Sequence, residues 1–208
     1  MPSRLSLVFR VDGSHLGHHL TLVVTIRHGN APEIGQIMTH WVFGYGSLIW
    51  RPGFDFLSSS PALLRGLHRQ LCIYSFTHRG TEEQPGLVFG LDRGGACRGM
   101  AFEVEGQKWE ETHAYLRERE QGNDVYKEVW RNVVLGDGRA VKALTFVADP
   151  SHKQYAGRLP HEDQLRLVKQ GVGMSGANPE YVINTYEHLL ELNIKDHGLK
   201  ALYDALVV

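Results

Sequence analysis

The sequence predicts an α+β domain in which a strongly curved sheet or barrel is followed by packed helices, and three observations lead there. Short runs rich in Val, Leu, Phe and Tyr recur between residues 41 and 147, with Gly, Pro and Asp between them. The last third of the chain changes to helical spacing. A chain of 208 residues, 42% hydrophobic and 22% charged, has material for one core, and no internal repeat or second core pattern interrupts it.

Taken in order, residues 1–40 read as an N-terminal extension and residues 41–208 as the domain. The extension holds five of the twelve histidines (His15, His18, His19, His28 and His40) and few helix signals. Alternation from His19 to Ile26 is compatible with one strand, after which Gly29, Asn30, Pro32 and Gly35 break any element before Met38. Trp41, Val42 and Phe43 are β-prone and run into the small-residue turn Gly44-Tyr45-Gly46-Ser47, followed by Leu48, Ile49 and Trp50. A strand therefore ends in a glycine loop. Further strands are expected at 69–76, 87–92, 98–104, 125–134 and 141–147. Between them, residues 107–120 place Trp109, Thr112 or His113, Leu116 and Arg119 near helical spacing, with Glu110, Glu111, Arg117 and Glu118 around a wet face. That helix should end near Gly122. A helix over 161–170 closes at Gly171, and Asn178 and Pro179 form an N-cap and first-turn pair. The following helix, 181–193, carries Val182, Tyr186, Leu189 and Leu190 on one stripe, and 199–208 repeats the pattern.

Composition removes several function classes. Twenty-two Lys plus Arg against 23 Asp plus Glu give a formal charge of -1, so no global basic field recruits nucleic acid or anionic lipid. No apolar stretch approaches the roughly 20 residues of a membrane-spanning helix, so neither nucleic acid nor membrane is expected as a partner. Two cysteines, Cys72 and Cys97, form neither a disulfide framework nor a C-x-x-C pair, which fits a reducing cytoplasm. Residues 1–10 lack the positive, apolar and small-residue regions of a signal peptide.

Two features can carry chemistry. The glycines of Gly44-Tyr45-Gly46-Ser47 let backbone N–H groups approach an anionic or carbonyl oxygen, although a tight structural turn has the same pattern. The loop lacks the third glycine of G-x-G-x-x-G, the lysine of a P-loop and the framing of a nucleophilic serine, so Ser47 reads as a hydrogen-bonding group. At the end of the helix over 107–120, Glu120 faces the negative pole of the macrodipole, which raises a carboxyl pKa and suits proton transfer. An ordinary solvated helix-end glutamate fits the pattern at least as well. No metal site is expected, because His15, His18 and His19 have no H-E-x-x-H context and no cysteine support. Cys72, in a strand-like run, reads as a buried inert thiol. His78-Arg79-Gly80 reads as a hairpin tip, with Arg79 either a solvated charge or a fork for a carboxylate. Tyr126 and Tyr181 are core aromatics whose hydroxyls serve if they line a pocket.

Read together, in order and spacing, the run WVFGYGSLIW at 41–50, His78-Arg79-Gly80, Pro85-Gly86, YLRERE at 115–120 with Tyr126, and Ser175-Gly176 with Glu180-Tyr181 resemble the ChaC family of γ-glutamylcyclotransferases. The resemblance runs from Trp41 to the helices after Tyr181 and leaves the extension uncovered. It implies a small mixed β-barrel with surrounding helices. It also implies substrate contacts from Val42, Phe43, Gly44, Tyr45, Gly46, Ser47 and Leu48, and an acid/base role for Glu120, with Glu118 out of register. Arg79, Tyr126 and Tyr181 are the further substrate-binding residues it suggests. Residues 122–125 depart from the Gly-Gly-Tyr ending of some relatives. The implied reaction is cyclisation of glutathione to 5-oxoproline and Cys-Gly by the substrate's own α-amine, without metal or other cofactor. The alternatives are a cyclotransferase for other γ-glutamyl amino acids or amines, and a non-catalytic module that binds γ-glutamyl compounds.

Overall fold

A β-prone tripeptide followed by a glycine turn sets the register of the whole barrel. In the computed structural model, which describes residues 38–120 and 124–208, strand β1 (Thr39–Gly44) pairs antiparallel with β3 (Gly86–Glu105) and parallel with β5 (Ala140–Ala148). β3 pairs along its length with β2 (Ser58–Ser75), β2 pairs with β4 (Tyr126–Leu135), and β4 with β5, closing a mixed barrel in the order β1-β3-β2-β4-β5. The strand considered over 19–26 lies outside the described residues, as does most of the extension. β1 begins two residues before position 41.

The strands expected at 87–92 and 98–104 are one continuous strand, and β2 begins at Ser58, well before residue 69. Gly94 and Gly95, which read as a break, take φ of +93° and +63° opposite Gly66 at +83°, where the register shifts between Arg65 and Leu67. Left-handed backbone at a bulge bends both strands without ending their ladder. The pairing supplies backbone partners that local propensity does not reveal.

Four helices cover the barrel: α1 (Trp109–Glu120), α2 (His161–Gln170), α3 (Asn178–Glu191) and α4 (His197–Val207). A two-stranded hairpin, β6 (Val172–Gly173) with β7 (Gly176–Ala177), lies between α2 and α3. β1 is buried on both faces. Val42 packs with Leu48, Val104, Trp109, Leu116 and Leu144, whereas Phe43 packs with Leu71, Leu87, Val182, Tyr186 and Leu199. The turn that ends β1 is thereby fixed from two sides.

Two helix expectations are corrected. Asn178 is the first residue of α3 and not its cap; its buried side chain accepts from Leu87 N–H at 2.6 Å and donates to Leu87 O at 2.8 Å. A cap at that position would leave both Leu87 groups without these partners. Leu190 is 51% exposed, because Val182, Tyr186 and Leu189 already fill the face of α3 that meets the core. Among the described residues no helix is long and apolar enough to cross a membrane.

Candidate active site

Glu120 is the last residue of α1, and Arg119 beside it determines where that helix end docks. The Arg119 guanidinium donates from Nη1 to Arg51 O at 2.7 Å and to the Tyr115 hydroxyl at 2.9 Å, and from Nη2 to Ser47 Oγ at 2.9 Å. Its Nε lies 3.2 Å from Glu120 Oε1. One planar, delocalised group therefore holds the Glu120 carboxylate and the Ser47 hydroxyl together. Gly53 belongs to the same strap: at φ +76° it lies against the Tyr115 hydroxyl so closely that a Cβ there would overlap it.

The glycine turn is tight for a structural reason at Gly44, where a Cβ would sit 3.0 Å from Leu48 Cβ. Gly46 differs. Among the described residues only the Tyr181 hydroxyl would come within 4 Å of a side chain there, at 3.9 Å. A short 3-10 turn over Ser47–Ile49 begins with Ile49 N–H donating to Gly46 O at 2.9 Å.

Three tyrosines complete the cluster. Tyr126 donates its hydroxyl proton to Phe89 O at 2.7 Å, and the Tyr181 hydroxyl accepts from Phe89 N–H at 3.3 Å, so one residue of β3 fixes both rings. Burial pushes the Tyr45 and Tyr126 hydroxyls well above the ordinary tyrosine range and Tyr181 up to about 12, each raised further by the charge of Glu120. All three stay protonated and can donate. Glu120 is only 17% exposed, and burial pushes its carboxyl above the ordinary glutamate range while the Arg119 charge pulls back without cancelling it. The largest cause of the shift is burial. Glu120 is not the solvated glutamate that fits the local pattern.

Arg79 lies with its guanidinium 5.2 Å from the Tyr181 ring centroid and donates to Ala177 O at 3.1 Å; burial lowers its pKa. The structure thus gathers Glu120, Tyr45, Gly46, Ser47, Tyr126 and Tyr181, with Arg79 on the far side of Tyr181. Val42, Phe43 and Leu48 are buried, at most 5% exposed, where their side chains support the turn. Sequence reasoning did not single out Arg119 or Phe89. Arg119 reads from its spacing as one more position on the stripe of Trp109 and Leu116, with nothing local to say what its guanidinium holds, and Phe89 acts through its backbone, which carries no sequence signal. Among the described residues no group of three or more His, Cys, Asp or Glu is placed to hold a metal ion. Cys72 is fully buried and its thiol is pushed up to about 12 by burial.

Known proteins are similar to this chain in sequence and in fold. The glutathione-specific γ-glutamylcyclotransferase of Escherichia coli (strain K12) is 34% identical over 171 residues, which cover 82% of this chain and 73% of that one. Glutathione-specific γ-glutamylcyclotransferase 1 of Homo sapiens is 34% identical over 178 residues, 83% of this chain and 80% of its own. A yeast γ-glutamyl cyclotransferase specific to glutathione has the same fold, with a TM-score of 0.74 and 22% identity over 81% of this chain and 95% of that one. The closed barrel with its helices is the γ-glutamylcyclotransferase fold. The family model for ChaC-like proteins matches residues 40–207, and the chain belongs to that family.

Proposed function

We propose that this chain is a glutathione-specific γ-glutamylcyclotransferase in which Glu120 moves the protons. The substrate's α-amine attacks its own γ-carbonyl carbon, a five-membered lactam closes, and the bond to the cysteinyl nitrogen breaks. The products are 5-oxoproline and Cys-Gly, and no water is consumed. Because nucleophile and electrophile belong to one molecule, the protein has to hold the folded conformer, deprotonate the amine and stabilise the oxyanion.

The observation that carries this reading is the buried Glu120 carboxylate held by Arg119 within reach of the glycine turn. A carboxylate with a raised pKa accepts the amine proton and returns one to the departing nitrogen more readily than an ordinary one. The Gly46 N–H and the Tyr181 hydroxyl are the donors we assign to the oxyanion or the α-carboxylate, with Tyr45 and Tyr126 beside them. Arg79 is the cation we assign to the substrate's terminal carboxylate. The catalytic unit in this reading is the domain over 41–208, with 1–40 as an extension. The cytoplasm is the compartment it assumes, with Cys72 and Cys97 as free thiols.

The test is 5-oxoproline release from glutathione, run in parallel with γ-Glu-Ala. Release from glutathione alone, lost in Glu120→Gln, supports the reading. Equal release from both substrates moves the assignment to a broader cyclotransferase, and no release from either overturns it.

A further inference from the structure

Against the glycine turn lies a second arginine that the proposed chemistry does not use. Arg69 of β2 is 3% exposed at its side chain and spends each of its three nitrogens on a different element. Nε donates to Tyr45 O at 2.5 Å, Nη1 to Asp196 Oδ2 at 2.9 Å, and Nη2 to Arg98 O at 2.7 Å. Asp196 in turn caps α4, its Oδ1 accepting from Leu199 N–H at 3.1 Å. Both carboxylate oxygens are thus committed.

We propose that Arg69 is a positioning residue for the cyclisation: it fixes the peptide plane between Tyr45 and Gly46 from behind, and Asp196 holds it there. The inference rests on the glutathione reading of the site. A trans peptide is planar, and its C=O and N–H point in opposite directions. Anchoring Tyr45 O on Arg69 therefore turns the Gly46 N–H to the other face, where it meets no hydrogen-bond acceptor among the described residues. Where a Gly46 side chain would stand, the nearest described atom is the Tyr181 hydroxyl at 3.9 Å. A donor without a partner, fixed in direction before substrate arrives, is what preorganised stabilisation of a developing oxyanion requires. A lysine would bring its three donors to one compact nitrogen and lacks the planar fork whose separate nitrogens reach Tyr45 O, Asp196 and Arg98 O. The arrangement also ties the C-terminal helix to the turn, since the α4 cap and the anchor of Arg69 are one carboxylate.

The same pair offers a way to separate positioning from plain stability. Arg69 and Asp196 line a cavity of about 770 Å³, together with His68, Phe89, Arg158 and Leu199. Guanidinium ion can enter from it. In Arg69→Ala, kcat for 5-oxoproline release is expected to fall about 10- to 100-fold with KM within about threefold, the range left when an oxyanion donor is loosened and not removed. Millimolar guanidinium chloride should restore part of that kcat and leave the wild type unchanged. Should Arg69→Ala lose its cooperative melt, Asp196→Asn gives the same readout. Asparagine caps a helix as well as aspartate does, yet with its oxygen on Leu199 N–H its NH2 group, a donor, stands where Oδ2 accepts from Arg69. A kcat within about twofold of wild type in a folded variant overturns the inference. So does a kcat loss in Arg69→Ala that guanidinium leaves untouched and that tracks the melting temperature. Failure of the wild type to release 5-oxoproline overturns the reading of the site and this inference with it.

Discussion

Glu120 is held between two opposed effects: burial favours its neutral form, the Arg119 charge favours the carboxylate, and the net direction is upward. Glu120→Gln is expected to lower kcat by about 10²-fold or more, the usual yield of general acid–base catalysis. As a base, Glu120 works as the carboxylate, so the acid limb of kcat against pH should fall above the ordinary glutamate range and vanish from the residual rate of the glutamine variant. The same shift bears on stability. A carboxyl with a folded-state pKa above its unfolded value binds its proton more tightly in the native protein, so its contribution is full below the unfolded pKa and is lost as pH rises through the folded one. At neutral pH Glu120 therefore costs stability. Glu120→Gln should melt at or above the wild-type temperature at pH 7, with the gap closing in acid; a variant that melts lower at pH 7 would mean that the Arg119 pair outweighs burial. Gly46 offers a second test at this scale. A methyl there meets only the Tyr181 hydroxyl, in ordinary contact at 3.9 Å, so Gly46→Ala should fold with little change in melting temperature and raise KM for glutathione. Unchanged kinetics in that variant would remove the space beside Gly46 from the substrate site.

At the scale of elements, the site depends on where α1 and α3 dock, and single polar residues decide both. Asn178 fixes the start of α3 by serving both backbone groups of Leu87, and Thr185 holds the next turn by donating to Tyr181 O at 2.7 Å. Asn178→Ala strands a buried N–H and a buried C=O, each costing about 1–3 kcal/mol. A drop of several degrees in melting temperature follows, since about 1 kcal/mol moves a domain of this size by roughly 2–4 °C. A thermal melt checks it, and a shift below a degree would show that Leu87 finds other partners. These dockings also explain what was legible in the sequence. The strand at Trp41–Phe43 and the helix closing at Gly171 are local events, written in β-propensity and in a glycine stop. The union of 87–92 with 98–104 depends on the β2–β3 ladder, and the position of Asn178 on β3, 91 residues from its partner; neither has a local signature. The glycine turn and Glu120 could be named from the resemblance. What brings them together, the Arg119 strap, could not, because its partners Arg51 and Ser47 stand 68 and 72 residues away and leave no local signature.

For the molecule as a whole, burial of its cysteines in the barrel wall has a chemical consequence for a protein read as acting on a thiol compound. The only two cysteines are Cys72 on β2, at the register shift between Leu71 and Ile73 with its carbonyl accepting from Ala156 N–H, and Cys97 on β3, paired with Leu64. Cys72 is 0% and Cys97 2% exposed, and burial pushes both thiols up, so the reactive thiolate is scarce even where a reagent could reach. Thiol–disulfide exchange with oxidised glutathione then requires the β2–β3 ladder to open, which for a cooperative unit is the global unfolding reaction. Mass spectrometry of the native protein held with oxidised glutathione should find no mixed disulfide over the time a fully denatured sample takes to form two. A disulfide-dye reagent should label both thiols with a single rate that follows the unfolding rate as denaturant is added. Rapid labelling of one cysteine under native conditions, with the circular dichroism spectrum intact, would place an opening in the β2–β3 pair that burial in the barrel wall excludes.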